Sequence, residues 1–311
     1  MAATAMRQTL RSVAIRLSDR LLRGYIRYSP LRIGKQRVWR LYDDRFSWRS
    51  APRIATTPFG FSVHVQLPDQ IQKVIWLTGR WEPSITAFVR STLAPGDTFI
   101  DVGANIGYYS LLASRMVGET GRVYAIEASP SIFAMLQDNL MLNRSGNVHA
   151  INAIVTDRDG EEDFWLQSAN LGQSTAVAAL GLAKGMRLEG RVRSATLTSL
   201  VPDQDLRNAR VIKIDVEGAE LTVLQPLFAS LSEFSPRTLW AIELSPQLCP
   251  GRQADVAQIF KAFSAAGYTA YTIANDYSLR MYTSRPRSAL LTRLTRAPTD
   301  RAADVLFLRE R

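Results

Sequence analysis

The chain carries its clearest chemical signal between Thr98 and Ser110, where an apolar strand runs into a glycine turn and then into a helix. The stretch reads Thr-Phe-Ile-Asp-Val-Gly-Ala-Asn-Ile-Gly-Tyr-Tyr-Ser. A turn at the carboxyl end of a parallel strand opens onto the crevice in which open α/β sheets bind ligands. Gly103 lets a ligand approach the backbone, and Gly107 lets the helix pack close to the strand. The stretch therefore predicts a ligand site at this turn.

The same turn indicates the kind of ligand. The dinucleotide fingerprint G-x-G-x-x-G would need glycines at positions 103, 105 and 108, but the last two are asparagine and tyrosine. Asp101 stands two residues before Gly103, where a carboxylate would repel a pyrophosphate. A carboxylate there suits a cofactor with a cationic amino-acid end, which favours S-adenosylmethionine (SAM). The alternative is a doubly wound protein in which a glycine simply follows the first strand.

A second acidic residue supports a nucleoside cofactor. Glu127 ends the run Val-Tyr-Ala-Ile-Glu and lies twenty residues after Gly107. An acid at the tip of the second strand is the usual partner of the ribose hydroxyls. The competing interpretation is a solvated carboxylate at a strand end.

A further acidic block follows the fourth predicted strand and reads Val-Ile-Lys-Ile-Asp-Val-Glu-Gly-Ala-Glu over residues 211–220. Since no histidine is near the motifs, we expect a carboxylate base, with Asp215 and Glu217 as candidates. Both point to one side if the strand stays extended, and two close acids raise one pKa towards neutrality. An acid in a helix's first turn is an equal alternative for Glu217 and the favoured one for Glu220. The three carboxylates as a magnesium or calcium site are a less favoured interpretation.

Composition limits the class of protein. The chain has 311 residues, 46% hydrophobic and 21% charged, as in ordinary globular domains. The single cysteine, Cys249, excludes an internal disulfide and suits a reducing compartment, so we expect a cytoplasmic protein. The two histidines, His64 and His149, are far apart in sequence, and we predict no metal. No apolar run approaches the roughly 18 residues of a membrane span.

The net charge of +10 comes from the N-terminal part of the chain. Residues 1–53 hold 13 of the 38 Lys and Arg but only three of the 28 Asp and Glu, which leaves 25 of each sign for the rest. A fold without net charge argues against a nucleic-acid substrate recognised by the fold itself.

Residues 7–28 are predicted to form a basic amphipathic helix, because apolar residues recur at three- and four-residue steps between arginines. Three interpretations stay open. The helix could make peripheral contact with an anionic membrane surface, it could be an organelle transit peptide, or it could fold back on the domain or pair with another chain. The oligomeric state is not determined by the sequence.

The elements around the motifs divide the chain into three parts. Residues 1–57 form a basic helical extension and connector. Residues 58–95 form a β-hairpin, Phe59 to Leu67 against Lys73 to Leu77, and a helix that leads into the core. In residues 96–311 strands alternate with helices seven times, which predicts a doubly wound α/β sheet with right-handed crossovers.

Together these residues resemble the FkbM-type SAM-dependent methyltransferases over about Phe59 to Val223. The resemblance is carried by Glu82-Pro83, by Phe99 to Ser110, by Glu127 with Ser129-Pro130, and by Lys213 to Glu220. It implies a class I SAM methyltransferase fold with a Rossmann-like seven-stranded sheet, and makes residues 96–311 the methyltransferase domain. The N-terminal helical extension before about residue 55 lies outside the family pattern. The implied cofactor is SAM, and the implied reaction is O-methylation of a hydroxyl on a sugar or small natural product. The expected partner is accordingly a small-molecule or glycan hydroxyl acceptor.

The resemblance also implies site residues. Its positions for the methionine half of SAM are Asp101, Gly103, Asn105 and Gly107. The remaining assignments are Glu127 for the ribose hydroxyls, Asn152 near the adenine, Asp215 facing the methyl donor and Glu82 closing the crevice. Glu82 has an alternative role, since an acid before Pro83 would also favour the dipole of the helix that follows.

Two other classes of function remain as alternatives. The first is a degenerate module that binds SAM and transfers nothing, against which the intact acidic set argues. The second is an RNA methyltransferase tethered by the basic arm, against which the neutral charge beyond residue 53 argues. The identity of the acceptor and the role of the arm are not determined by the sequence.

Overall fold

The computed structural model describes residues 18–29, 33–46, 52–67, 69–167, 170–246, 253–275, 277–283, 290–299 and 301–310. Over these ranges the chain forms an α/β domain around an eight-stranded sheet. A three-stranded sheet, β6-β8-β7, and a short hairpin, β1-β2, lie beside it.

The helices of the described ranges are α1 (18–28), α2 (Lys35–Phe46), α3 (Gln70–Thr78), α4 (Pro83–Thr92), α5 (Tyr108–Val117), α6 (Pro130–Asn143), α7 (Ala178–Ala183), α8 (Leu197–Leu200), α9 (Asp203–Arg207), α10 (Glu220–Leu224), α11 (Gln253–Ala265) and α12 (Leu279–Thr283). Two 3₁₀ segments are Leu171–Gln173 and Gln225–Glu233. Within the ranges given above, none of these helices combines the length and apolar character that crossing a bilayer requires.

The strands are β1 (Arg53–Thr56), β2 (Ser62–Val65), β3 (Thr98–Val102), β4 (Arg122–Glu127), β5 (Val148–Asn152), β6 (Ile154–Val155), β7 (Gly160–Leu166), β8 (Arg187–Ala195), β9 (Val211–Ile214), β10 (Leu239–Leu244), β11 (Thr269–Ile273), β12 (Leu291–Arg293) and β13 (Ala303–Leu308). In the main sheet β5-β4-β3-β9-β10 are parallel, and β13, β11 and β12 follow antiparallel beyond β10.

This order confirms the predicted doubly wound α/β sheet and adds one strand to the seven expected. The extra strand, β12, has three residues, all exposed, and pairs only with β11 at the sheet edge. Three exposed residues show no alternation of apolar and polar side chains, so the sequence pattern did not reveal this strand.

The central strands are apolar because helices cover both faces of the sheet. All four residues of β9 are buried, as are four of the five in β3. Their side chains alternate between two hydrophobic clusters: Phe99 and Val211 contribute to one, and Ile100 and Ile212 to the other. Such continuous apolar runs are typical of parallel strands buried on both sides.

The predicted hairpin of residues 58–95 is wrong in its second strand. The first strand, β2, pairs instead with β1, and Lys73 to Leu77 lie inside α3. Asp69 begins this helix, because its side chain accepts a hydrogen bond from the backbone N–H of Gln72 at 2.8 Å. A short apolar run such as Val74 to Leu77 has the same pattern in a buried helix as in a strand.

The described part of the predicted basic helix, α1, folds back on the domain. Arg27 donates hydrogen bonds to the carbonyls of Trp76 and Leu77 at 2.6 and 3.0 Å, and to that of Thr56 at 3.1 Å. The Arg23 guanidinium lies 3.3 Å from the ring centroid of Trp76. These arginines thus satisfy the carbonyls at the C-terminal end of α3, which carry the negative end of its dipole.

Of the three interpretations of residues 7–28, folding back therefore holds for residues 18–28. The expectation that its arginines would be solvated is wrong for Arg23 and Arg27, which donate to carbonyls of α3. The rest of that predicted helix lies outside the described residues, and the predicted membrane contact stays a prediction for that part.

Replacing Arg27 by alanine is expected to lower the free energy of unfolding by about 1.5–3 kcal/mol, because the carbonyls at the end of α3 lose charged donors. Denaturant unfolding measures the change. The matched control is Arg20→Ala in the same helix, whose side chain is exposed and whose loss should stay within about 0.5 kcal/mol. Equal unfolding midpoints for the two variants would contradict the capping role of Arg27.

Candidate active site

A cavity of about 590 Å³ lies at the carboxyl ends of β3, β4, β9 and β10. Its wall includes Gly103 and Asn105 after β3, Glu127 at the end of β4, Asp215 after β9 and Glu243 in β10. The volume lies within the range of roughly 300–1,000 Å³ that small-molecule and cofactor sites occupy. Acids from distant parts of the chain thus meet at one cavity, including the predicted Glu127 and Asp215.

The turn after β3 is built against the loop after β9. Gly103 adopts φ +83°, and a Cβ placed there would lie 1.9 Å from the backbone oxygen of Asp215. The sequence predicts that Gly103 lets a ligand approach the backbone. Gly103 does line the cavity, but the group packed most closely against it is the backbone of Asp215. Only glycine fits this position without displacing one of the two loops.

Gly107 serves a different neighbour from the one predicted. At φ +88° it precedes α5, and a Cβ there would lie 2.5 Å from Cδ1 of Leu136 in α6. Gly107 therefore makes room for α6 rather than for β3. It is absent from the described residues that line the cavity, so its predicted contact with SAM stays a prediction.

Asp101 lies beneath the turn, 1% exposed, and is absent from the described residues of the cavity wall. Its Oδ2 accepts a hydrogen bond from the Ser110 hydroxyl at 2.6 Å, whereas its buried Oδ1 has no hydrogen-bond partner among the described residues. Burial raises the pKa of Asp101, and the ammonium of Lys213, its neighbour in register on β9, opposes that rise. A buried carboxylate oxygen without a donor suits the cationic end of an amino-acid ligand.

Glu127 holds the turn and faces the cavity. Its two oxygens accept the backbone N–H groups of Asn105 and Ser129, each at 2.8 Å. Burial raises the pKa of Glu127 to about 7, against the effect of these two hydrogen bonds. Each oxygen keeps a second lone pair, so the carboxylate can also accept hydroxyl donors from a ribose.

Asn152 supports the same strand end from behind. Its side-chain amide donates to the carbonyls of Glu127 and Ala128 at 2.8 and 3.0 Å. Asn152 is not among the described lining residues, and the wall beyond it is formed by the apolar residues Ala153 to Val155. Its predicted position near the adenine stays a prediction.

Lys213 is a buried cation that sequence reasoning left without a role. Its Nζ donates to Oδ2 of Asp215 at 2.8 Å and lies 5.0 Å from the ring centroid of Tyr109. Burial disfavours the ammonium, but the carboxylates of Asp215, Asp101 and Glu82 outweigh this effect and raise the pKa of Lys213. A charged residue within the apolar run Val-Ile-Lys-Ile was the available signal, because a buried charge needs a partner.

Glu82 faces the cavity rather than acting only on the helix that follows it. It is 3% exposed, and its two carboxylate oxygens accept the hydroxyls of Tyr109 and Tyr277 at 2.8 and 2.7 Å. Burial raises the pKa of Glu82, which the ammonium of Lys213 partly offsets. Of its two interpretations, the structure therefore favours the crevice.

Glu217 reaches the cavity by a route other than the one predicted. β9 ends at Ile214, and Glu217 adopts φ +46°, so the expected strand extension through Asp215 to Glu217 is wrong. Both side chains nevertheless line the cavity. Burial, and next the neighbouring carboxylates of Asp215 and Glu220, raise the pKa of Glu217 to about 8.

Glu220 belongs to the helix, as favoured from the sequence. Its Oε1 accepts the backbone N–H of Gly218 at 2.9 Å in the first turn of α10. In the described part of the chain, the acids whose oxygens converge within 4.8 Å are Glu82, Glu243 and Asp304. They differ from the trio of Asp215, Glu217 and Glu220 considered as a magnesium or calcium site.

An aromatic wall, formed by Trp81, Tyr277 and Tyr282, lines the cavity beside Glu82. The ring of Trp81 lies 5.8 Å from that of Tyr277 and 6.2 Å from that of Tyr282. Sequence reasoning missed this wall, because its tyrosines lie in a C-terminal connection without a motif. The connection of residues 170–176 completes the cavity with polar side chains that include Asn170 and Gln173.

Three observations fit SAM. Asp101 keeps a buried oxygen without a partner among the described residues, beneath the turn. Glu127 keeps acceptor capacity in the cavity wall, and Asp215 after β9 and Glu243 in β10 add acids there. The sheet order and this cavity define a class I SAM-dependent methyltransferase fold. Residues 101–270 match the family model "Methyltransferase FkbM domain", which covers more than half of the 311 residues. The chain belongs to this family.

Relatives of known name support the same class. "Methyltransferase sdnD" of Sordaria araneosa is 30% identical over 158 residues, 42% of this chain and 61% of its own length. "Hexuronic acid methyltransferase AglP" of Haloferax volcanii is 27% identical over 169 residues, 54% of this chain and 64% of its own length. The chain thus spans less than two thirds of either relative. Among solved structures, M. jannaschii TYW2 in complex with AdoMet matches with a TM-score of 0.41 and 12% identity, over 84% of this chain and 88% of that one.

Replacing Gly103 by alanine is expected to destabilise the protein by about 2–5 kcal/mol, since a left-handed backbone and a clash with the Asp215 carbonyl add together. Denaturant unfolding measures the loss. Gly146→Ala is the control, because a Cβ there meets no atom within 4 Å. Similar stability of the two variants would show that the two loops do not constrain each other.

The raised pKa values predict that the protein without ligand becomes less stable as the pH rises from 6 to 9. The folded-state pKa values of Glu127, about 7, and Glu217, about 8, exceed the ordinary value, so stability present at low pH is lost as these groups ionise. Between pH 6 and 9, the melting temperature of Glu217→Gln should fall less than that of the parent. The difference between the two falls should be roughly 2–4 °C, which corresponds to ~1 kcal/mol. The control Glu161→Gln, at an exposed position of β7, should keep the parental slope. The same dependence of melting temperature on pH in all three proteins would contradict the raised pKa of Glu217.

Proposed function

We propose that this protein transfers a methyl group from SAM to a hydroxyl of a sugar or small natural product. The observation that carries the proposal is the meeting of Glu127 with Asp215 and Glu217 in one cavity. The first residue suits a nucleoside, and the other two suit the activation of a hydroxyl. Membership of the FkbM methyltransferase family supports the reaction class. The relative named a hexuronic acid methyltransferase supports a sugar as the acceptor.

The part of the cavity at the ends of β3 and β4 would hold the cofactor. Gly103 and Asn105 would hold its methionine half, with Asp101 beneath them, and Glu127 would accept hydrogen bonds from the ribose hydroxyls. When bound, SAM supplies a methyl carbon that its sulfonium has already activated. The role of the chain is then alignment, since holding reactants in line can supply on the order of 7–11 kcal/mol of barrier reduction.

The geometry divides the work between the two acids after β9. Asp215 has one oxygen engaged by Lys213, so it suits an orienting role and accepts a hydrogen bond from the acceptor hydroxyl. Glu217, with its pKa raised to about 8, takes the hydroxyl proton in its ionised form as the oxygen attacks. A base placed in this way contributes roughly 10²–10⁴-fold to the rate.

The cavity wall supports a ring-shaped acceptor. Aromatic side chains such as Trp81 and Tyr277 offer flat apolar surface with a polar rim. Asn170 and Gln173 add neutral donors and acceptors nearby. A sugar ring presents the matching combination of apolar C–H faces and hydroxyl edges.

Two substitutions separate cofactor binding from proton transfer. Glu127→Gln should weaken SAM binding at least tenfold by calorimetry, because the ribose loses a charged acceptor. Glu217→Gln should bind SAM with unchanged affinity and lose about 10²-fold or more of the methyl transferred from labelled SAM into a fractionated extract of the source cells.

Glu161→Gln serves as the control in both assays, since its carboxylate is exposed on β7 and lies 3.5 Å from Arg191. Unchanged SAM affinity in Glu127→Gln would remove the cofactor assignment. Full transfer by Glu217→Gln would remove the base.

A further inference from the structure

We infer that the acceptor is a neutral or amine-bearing polyhydroxylated ring, and that anionic acceptors such as uronates and sugar phosphates are excluded. The inference rests on the proposed function, because it concerns the acceptor of the same cavity. It adds the charge of the substrate, which neither the family nor the fold specifies.

The charge of the wall is strongly one-sided. Among the described lining residues, the acids outnumber the cations by five to one: Glu82, Glu127, Asp215, Glu217 and Glu243 face the single Lys213. The ammonium of Lys213 is already bound to Asp215 at 2.8 Å. Bound SAM would carry one net positive charge, because its carboxylate cancels either its sulfonium or its ammonium. It would therefore offset only one further acid. Further negative charge is therefore costly at this wall, and the described lining residues offer the acceptor no second cation to offset it.

The register of the sheet places a further acid, Asp304, next to Glu243. Glu243 in β10 and Asp304 in β13 are direct partners in an antiparallel pair, where like charges repel. Glu82 joins them, so that oxygens of all three lie within 4.8 Å of one another. The carboxylate of Asp215, and then burial, raise the pKa of Glu243. An anion placed here would add to a repulsion that the fold already carries.

The hydrogen-bonding capacity of the wall leads to the same conclusion. Glu82 is satisfied by two neutral hydroxyl donors, those of Tyr109 and Tyr277, rather than by cations. Ionised carboxylates only accept hydrogen bonds, so they need donors from the ligand. Sugar hydroxyls and ammonium groups are donors, whereas a carboxylate or phosphate brings further acceptors. The aromatic wall can hold the ring of either kind of sugar, so charge makes the selection.

The relative from Haloferax volcanii is named for a hexuronic acid, and it aligns with 54% of this chain. The inference predicts that the two proteins differ in the charge of their acceptors. The difference makes the proposal directly testable with separated pools of small molecules.

The test divides a deproteinised extract of the source cells on an anion exchanger into an unretained pool, neutral and cationic, and a retained, anionic pool. Each pool is incubated with the full chain and methyl-labelled SAM. We expect at least tenfold more label in the unretained pool. Greater labelling of the retained pool would overturn the inference and leave the proposed function intact. If the protein binds SAM but labels neither pool, the proposed function would be overturned, and the inference with it.

Glu243→Gln tests the cause of the selection, because it removes an ionisable carboxyl group from the wall without touching the proposed base or ribose acid. The share of label in the retained pool should rise at least threefold over the parent, and the exposed control Glu161→Gln should leave that share unchanged. A retained share equal to that of the control would overturn the electrostatic cause. Melting curves of the variants check that each is folded.

Discussion

The close approach of Gly103 to the backbone of Asp215 is the constraint on which the rest of the site depends. It brings the turn after β3 against the loop after β9, so that one cavity receives groups from both. The N–H of Asn105 in that turn then reaches Glu127, which ties β4 into the same arrangement. A cofactor site and an acidic site thus share one wall, and neither loop can move without disturbing the other.

The parts of the fold with strong local signals were predictable from the sequence. The strands around Asp101, Glu127 and Lys213 have continuous apolar runs followed by glycine or acid, and each lies in the sheet as expected. The run from Val74 to Leu77 was misread because its period does not distinguish strand from helix. Its cap, Asp69, falls between the two strands of the predicted hairpin, where an aspartate is equally common in a turn. The three exposed residues of β12 offered no pattern at all.

Site residues that follow a strand or a motif in the sequence could be predicted. Site contacts that depend on which strands pair, and in which register, could not. Asp215 and Glu217 could be chosen because they follow a strand, although the backbone bend between them could not. The pairing of Glu243 with Asp304, and the reach of Tyr277 to Glu82, join residues 61 and 195 positions apart. Such contacts depend on which strands become neighbours, and local periodicity does not contain that information.

The acids that line the cavity have a consequence for the release of used cofactor. Methyl transfer converts a sulfonium into an uncharged thioether, so in the proposed reaction the spent cofactor has lost one of the charges that drew it in. The turn after β3 and Glu127 would hold parts that donor and product share, so these contacts would not tell the two apart. The acids around Lys213 would tell them apart in the proposed reaction, because a carboxylate attracts a sulfonium more strongly than an uncharged thioether. The same electrostatics that load the cavity therefore favour exchange of used cofactor for fresh.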